Sequence, residues 1–396
     1  MDAASTGRYE RPATLANWQQ PPQNRWSFQH VRELVPTARI APARDAPREL
    51  RPARRPPRVD ALSAEGRKLT LDELLEQTST DGLLVLHDGR VVVERYLNGL
   101  EPDTPHLLMS VSKSITATVA GILIGDGKLR PEHQVTDVVS ALRGTSFEGC
   151  TVRHLLDMRA GTRFNEDYDD PRSEVRVSEQ VYNWAPRTEA DLPPDLRAYY
   201  ATLENDGPHG GPFRYRSILT DVLGWVLEEA AGERYAELVS RTLWQPMGAE
   251  YEAEVTVDSA GNALSDGGIC CTLRDLARFG RLMLDGGRRK RRRVVPPGWV
   301  RDTLTPDPDS VSAFREAEDE PDFPAQAYYR NKWWVIDPVG PIYGGFGING
   351  QMVLIHGPAR VVVAKLSTWP EAWSSDRYRL TVAACTDLAE QIARAG

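Results

Sequence analysis

The chain has 396 residues, 41% hydrophobic and 26% charged. That is more than one compact core usually organises, so two domains or one domain with a large insertion are expected, and wholesale disorder, collagen-like repeats and coiled coil are excluded. Lys and Arg total 48 against 56 Asp and Glu, a formal net charge of -8, which leaves no broad cationic footprint for a nucleic-acid backbone and makes nucleic acid an unexpected partner. Residues 1–20 are polar, with Glu10 and two arginines and no apolar run of the kind an export signal carries, so a cytoplasmic protein is expected. Residues 36–58 alternate proline with arginine and carry almost no apolar side chains; with Trp18 and Trp26 upstream, residues 1–60 read as an N-terminal arm packed on the body. Runs 82–86 and 91–96, separated by a turn containing Asp88-Gly89, predict an antiparallel hairpin.

From 110 to 125 small and aliphatic residues recur at helical spacing through Ile115, Val119 and Ile122, closing at Gly125 and Gly127, which predicts a buried helix. Its apolar stretch, 115–124, is about half of the roughly 20 residues a membrane span needs, so no membrane partner is expected. Further helices are predicted at 151–159, 219–231, 235–243 and 272–284. Residues 351–355 and 361–366 flank Gly357-Pro358 as a second hairpin, and 376–395 returns to helical periodicity. Strands at both ends of a helical middle predict an α/β (α+β) architecture, with a sheet domain from 61–108 and 255–396 and a mostly helical domain at 109–254. Cys150, Cys270, Cys271 and Cys385 show no C-x-x-C spacing, so neither a zinc set nor a disulfide framework is expected.

Several signatures are absent. There is no G-x-S-x-G and no H-E-x-x-H, residues 121–128 fail as a phosphate loop, and the seven histidines are scattered, so a nucleophilic enzyme here needs a base other than histidine. Lysine is scarce, yet Lys113 follows Ser110 by three residues at the start of the buried helix, which puts both side chains on one face within hydrogen-bonding reach. The helix N-terminus favours negative charge beside Ser110, and apolar surroundings are expected to lower Lys113 from about 10.4 to roughly 7–8, where it works as a general base. Ser112 sits about 200° around the helix from Ser110 and is a poor competitor. The run 288–293 reads as a solvated basic turn, and Trp333-Trp334 with Tyr328 and Tyr329 suit a cleft wall and a packed core equally.

Ser110-Val-Ser-Lys113, within His106-Leu-Leu-Met-Ser-Val-Ser-Lys-Ser-Ile115, resembles the active-site helix of the serine β-lactamase and penicillin-binding-protein superfamily. From Asn17-Trp-Gln-Gln-Pro-Pro-Gln-Asn-Arg-Trp26 through Ser367-Thr-Trp-Pro370 the chain is similar to the 6-aminohexanoate-dimer (nylon-oligomer) hydrolases of class C β-lactamase fold. That resemblance implies a central antiparallel sheet flanked by helices with an inserted mostly helical domain, a homodimer, and neither metal nor organic cofactor. It makes Tyr215, in Tyr215-Arg-Ser217, the proton-transfer partner of Ser110 and Lys113, with Ser217 as the second hydrogen-bonding side chain of that motif. Gly345-Phe-Gly347 stands where β-lactamases carry Lys-Thr-Gly, so a cation for a β-lactam carboxylate is missing, while the backbone N–H groups of Ser110 and Ile348 are expected to form the oxyanion hole.

Tyr168, within Asn165-Glu-Asp-Tyr168, matches a tyrosine that hydrogen-bonds the leaving amide nitrogen. Glu179 and Asp266 match positions suited to a substrate's terminal ammonium, or else they are solvated carboxylates; Trp184 and Asn349, the latter replacing a family histidine, complete the expected substrate-binding set. The implied activity is hydrolysis of linear 6-aminohexanoate amides through an acyl-enzyme, with side activity on short esters. A carboxylesterase or D-amino-acid peptidase on the same machinery, and a catalytically silent binding protein, are the alternatives.

Overall fold

The predicted hairpin at 82–96 forms. In the computed structural model, which describes residues 13–59, 61–317 and 322–395, β-strands at Thr80–His87 and Arg90–Tyr96 pair antiparallel across Asp88 and Gly89. Both turn residues have positive φ, 45° and 74°, the mirror-image turn whose twist matches that of the flanking strands. Residues 1–12, most of the 1–20 stretch read for an export signal, lie outside the described residues.

The strands that position the site are, in chain order, β1 (Thr37–Ile40), β2 (Thr80–His87), β3 (Arg90–Tyr96), β4 (His106–Leu107), β5 (Ala253–Thr256), β6 (Ile269–Cys271), β7 (Tyr328–Arg330), β8 (Trp333–Asp337), β9 (Ile342–Gly347), β10 (Gln351–His356) and β11 (Val361–Ser367). One sheet runs in the order β7-β8-β9-β10-β11-β2-β3, antiparallel throughout, and the two-residue strand Arg51–Pro52 adds to its edge in parallel to β3. The edge is where a proline, lacking an N–H, is tolerated. A smaller sheet runs β1-β5-β6-β4. Residues 36–58 are therefore not extended coil throughout, because Thr37–Ile40 is paired in register with Ala253–Thr256.

Four helices matter: α1 (Val111–Gly125), α2 (Ile218–Ala231), α3 (Leu273–Leu284) and α4 (Ser375–Ala395). Helices α3 and α4 cover opposite faces of the large sheet. On one face a Cβ at Gly280 of α3 would lie 2.5 Å from Val362 and 2.9 Å from Val353, so glycine is what lets that helix press on the strands. On the other face Tyr378 of α4 meets Phe346 edge-to-face at 5.2 Å, and Phe346 pairs with Met352 and Met352 with Lys365 across the sheet. Apolar β2 is buried from Thr80 to Leu86, as two-sided cover requires. The family's mixed α/β fold, sheets flanked by helices, is thus present as expected. Helix α1 is buried from Val111 to Leu123 and packs against α2, fitting a helix apolar all round.

The helix predicted at 151–159 is shorter, Val152–Leu156, because Met158 takes a positive φ of 56°. The basic run forms a small hairpin, Arg288–Arg289 with Arg292–Arg293, with mostly exposed side chains. All four cysteines are buried and unpaired. Among the described residues no helix is long and apolar enough to cross a membrane.

Candidate active site

The chain leaves β4, bends at Met109 and enters α1 at Ser110. Met109 has φ 46°, a strained value for a non-glycine residue that costs about 1–3 kcal/mol and places Ser110 at a half-exposed corner over the helix N-terminus. One turn on, Lys113 is 1% exposed and its Nζ donates to Ser110 Oγ at 2.8 Å. Ser112 points elsewhere, its Oγ accepting from the Ile269 backbone N–H at 3.2 Å. The Tyr215 ring lies 5.2 Å from the Lys113 ammonium, and Ser110 and Lys113 sit close enough to its hydroxyl to oppose the rise that burial imposes on it. Three side chains from two segments 100 residues apart in the sequence thus meet as the motifs implied.

The charge on Lys113 is not the one expected. Burial pushes it down, but the carboxylates of Asp266, Glu166 and Asp221 and the Tyr215 hydroxyl outweigh burial and hold it above the ordinary lysine value. Its Nζ donates to Asp266 Oδ2 at 3.1 Å and to the Asp266 carbonyl at 3.3 Å. The resting lysine is an ammonium, correcting the expectation of a depressed amine, because the apolar helix is visible in the sequence while these distant carboxylates are not. Asp266 is accordingly the lysine's counter-ion, though its Oδ1 is buried without a hydrogen-bond partner. Asp221, whose Oδ1 accepts from the Asp266 N–H at 2.9 Å, is pushed well above the carboxylate range by burial and by Asp266. Burial likewise raises Tyr215, against the opposing effect of Lys113.

Ser217 is placed differently from the expected motif. Its N–H and hydroxyl donate to Glu166, the latter at 3.0 Å, so it serves a carboxylate that the sequence reading passed over. Burial raises Glu166 as well, with Lys113 opposing. Its signal was weak: an acidic residue two positions before Tyr168.

Arg176 organises the next layer. It donates from Nε and Nη2 to the Tyr168 carbonyl at 3.0 and 2.7 Å, lies 5.3 Å from the Tyr168 ring, and holds both oxygens of buried Glu179 from Nη1 at 2.9 Å. Glu179 is therefore paired with Arg176 while it also lines the cavities, and it is not a solvated surface group. Trp184 is buried, with its Nε1 on Thr256 Oγ1 at 3.2 Å and its carbonyl accepting from Trp18 Nε1 at 2.6 Å. Asn349, at φ 57°, spends its side-chain amide on the carbonyls of Trp369 and Glu371 at 3.0 and 3.3 Å, which ties loop 369–372 to the turn after β9. Its φ suits asparagine.

The glycines of Gly345-Phe-Gly347 have a steric reason. A Cβ at Gly347 would lie 2.9 Å from the Ser110 backbone nitrogen, and one at Gly345 would lie 2.8 Å from Ser114 Oγ, so β9 can run hard against the start of α1. Ile348 then follows beside Ser110. Cavities open on two sides of this junction. A small one, in which Ser110, Gln19, Glu179 and Asp266 face the apolar Phe164, Val175 and Leu264, shares Gln19, Glu179 and Trp184 with a chamber of about 650 Å³ that includes Arg176 and Asn349. A slot of about 260 Å³ is lined by Ser110, Glu166, Tyr215 and four aromatic rings. Tyr168 and Ile348 border all three spaces. No group of histidine, cysteine and acidic side chains among the described residues is arranged to hold a metal ion.

The family model for beta-lactamase matches residues 68–387. The chain belongs to the beta-lactamase family. A 6-aminohexanoate-dimer hydrolase of Paenarthrobacter ureafaciens is 40% identical over 382 residues, covering 94% of each chain. A solved structure from Bacillus anthracis, assigned to the 6-aminohexanoate-dimer hydrolases, superposes with a TM-score of 0.86 at 25% identity over 96% of this chain and 97% of that one. A family VIII carboxylesterase shares the fold, with a TM-score of 0.58 at 14% identity over 80% of this chain and 95% of that one. The chain is thus a hydrolase of the β-lactamase and penicillin-binding-protein superfamily and a homologue of the 6-aminohexanoate-dimer hydrolases, as its motifs implied.

Proposed function

We propose that the protein is a serine amidohydrolase that cleaves linear amides of 6-aminohexanoate, with side activity on short carboxylic esters. The observation that carries this reading is the Ser110, Lys113 and Tyr215 cluster, with Lys113 Nζ 2.8 Å from Ser110 Oγ, at the mouth of a cleft in a chain so similar to a dimer hydrolase.

Lys113 must first lose a proton, since an ammonium cannot accept one. The neutral amine then takes the proton of Ser110 as Oγ attacks the amide carbonyl, and the backbone N–H groups of Ser110 and Ile348 receive the negative charge that develops on oxygen. Tyr215 passes its proton to the leaving nitrogen and is reprotonated by Lys113, while Tyr168 orients that nitrogen. Water then attacks the acyl carbon, Ser110 recovers its proton, and the acid leaves. The residues do this work without a metal or an organic cofactor.

The test is Ser110→Ala, which should abolish turnover of both the linear dimer and a butyrate ester. Retained turnover of either substrate refutes the assignment. An active-site serine probe should label Ser110 in the native protein and not in the variant, which also separates an enzyme from a silent binding protein.

A further inference from the structure

The slot beside Ser110 is chemically unlike the rest of the cleft. Its floor and walls are Phe323, Trp334, Phe346 and Trp373, together with Tyr168, Tyr215 and Ile348, and among the described residues its one charged lining residue is Glu166. Phe323 stacks on Trp334 at 4.2 Å and 5°, and Trp334 stacks on Tyr215 at 5.5 Å and 22°, so the wall is a continuous ring stack that ends at the nucleophile. Trp373, 40% exposed, forms the mouth and is fixed by Asp322, whose Oδ2 accepts from its Nε1 at 3.3 Å.

Among the described residues no cation lines this space. Lys113 is buried, and Lys332, equally buried with its Nζ on Met158 Sδ at 3.0 Å, does not reach it either. A carboxylate inside the slot would lose water without gaining a partner and would face Glu166. The orientation of the substrate follows from Tyr215: it lines the slot and not the small cavity or the chamber, so the nitrogen it protonates leaves on the slot side.

Resting on the acyl-transfer reading above, we propose that this slot is the leaving-group subsite and favours amides whose departing amine carries an uncharged apolar or aromatic group, so that the linear dimer, whose departing half carries a free carboxylate, is cleaved but is a poorer substrate than an amide with the same acyl half and an apolar amine. At about 260 Å³, below the about 300–1,000 Å³ of drug-sized sites, it holds a single ring or a short alkyl chain.

The experiment compares two substrates with the same acyl half, the linear 6-aminohexanoate dimer and the benzylamide of 6-aminohexanoic acid. Native enzyme should favour the benzylamide by about 10-fold or more in kcat/KM, within the range a shaped apolar pocket supplies. In Phe323→Ala and in Trp373→Ala the ratio should fall toward one; Trp373 is at the surface, so its truncation leaves the fold standing. In Glu166→Gln the ratio should fall because the dimer improves. A native ratio at or below one, or a ratio that neither ring truncation moves, overturns the subsite while Ser110-dependent turnover leaves the acyl-transfer reading in place. Turnover that persists in Ser110→Ala, or no turnover of either amide by native enzyme, overturns both.

Discussion

The aromatic slot and the polar chamber meet at Tyr168 and Ile348 and use their side chains for different ends. The slot's Phe and Trp rings come from residues 323–373, with Phe323 and Tyr215 stacked on either side of Trp334, so what they offer a substrate is shape and apolar surface. The chamber is built from the arm, the 168–188 segment and loop 370–372, and its charges answer each other: Glu179 is held by Arg176, which also holds Tyr168. Asp266, beside it in the small cavity, is held by Lys113. Charged residues around an active site are thus not in themselves substrate ligands. On the subsite proposal, the polar side sets the position and protonation of the machinery, and the apolar side is left to discriminate.

Tyr215 lines the slot and lies against Ser110 and Lys113, and its removal should have the largest effect. Tyr215→Phe keeps the stack on Trp334 and deletes the hydroxyl beside Ser110 and Lys113, so kcat on amides and esters should fall by about 10²- to 10⁴-fold while thermal stability stays close to native. A large stability loss with a small kinetic effect would make Tyr215 a wall residue. Next comes Tyr168, at the border of slot and chamber. Tyr168→Phe should lower amide turnover by about 10- to 100-fold and spare esters, since an alcohol leaving group needs no hydrogen bond to nitrogen. Equal losses would remove the argument for an amidase over a carboxylesterase.

The third effect is a displacement in pH. Asp266 raises Lys113, and the reaction needs the neutral amine, so activity is carried by the deprotonated fraction and the acid limb of kcat/KM should lie on the alkaline side. Asp266→Asn removes the counter-ion and keeps the backbone contact, so the acid limb should move to lower pH by about 1 unit or more. An unmoved limb, or one moved upward, would mean that another group controls the rise.

What could be read in the sequence was local. Ser110 and Lys113 are one helical turn apart, the Asp88-Gly89 hairpin is closed by two residues, and Tyr215-Arg-Ser217 is a contiguous motif, so spacing alone brings each set near its place. What was missed depends on distant pairings. The arm strand Thr37–Ile40 has its partner more than 200 residues away, and the lysine's charge is decided by Asp266, which is 153 positions on. In the sequence Trp333-Trp334 suits wall and core equally. The strand pleat resolves it: Trp333 stacks on Phe279 of α3 inside the core, whereas Trp334, on the opposite face, lines the slot. Ser217 was matched to the right motif, but its acceptor, Glu166, comes from another segment.

Glu179 gives the finest separation of the two regions. If the chamber were an open trap for a substrate ammonium, Glu179→Gln would raise KM for the linear dimer by about 10-fold or more, as expected when a charged partner is lost. In the arrangement seen, both carboxylate oxygens are occupied by Arg176, and a glutamine can keep one of those hydrogen bonds. The expected change is therefore about 2- to 3-fold, and it should be in kcat on amides rather than in KM, because what loosens is the Arg176 grip on the Tyr168 carbonyl. The same measurement on a butyrate ester should show no change, since that reaction does not draw on Tyr168; a KM effect on the dimer without a kcat effect would return the chamber to the role of an ammonium site.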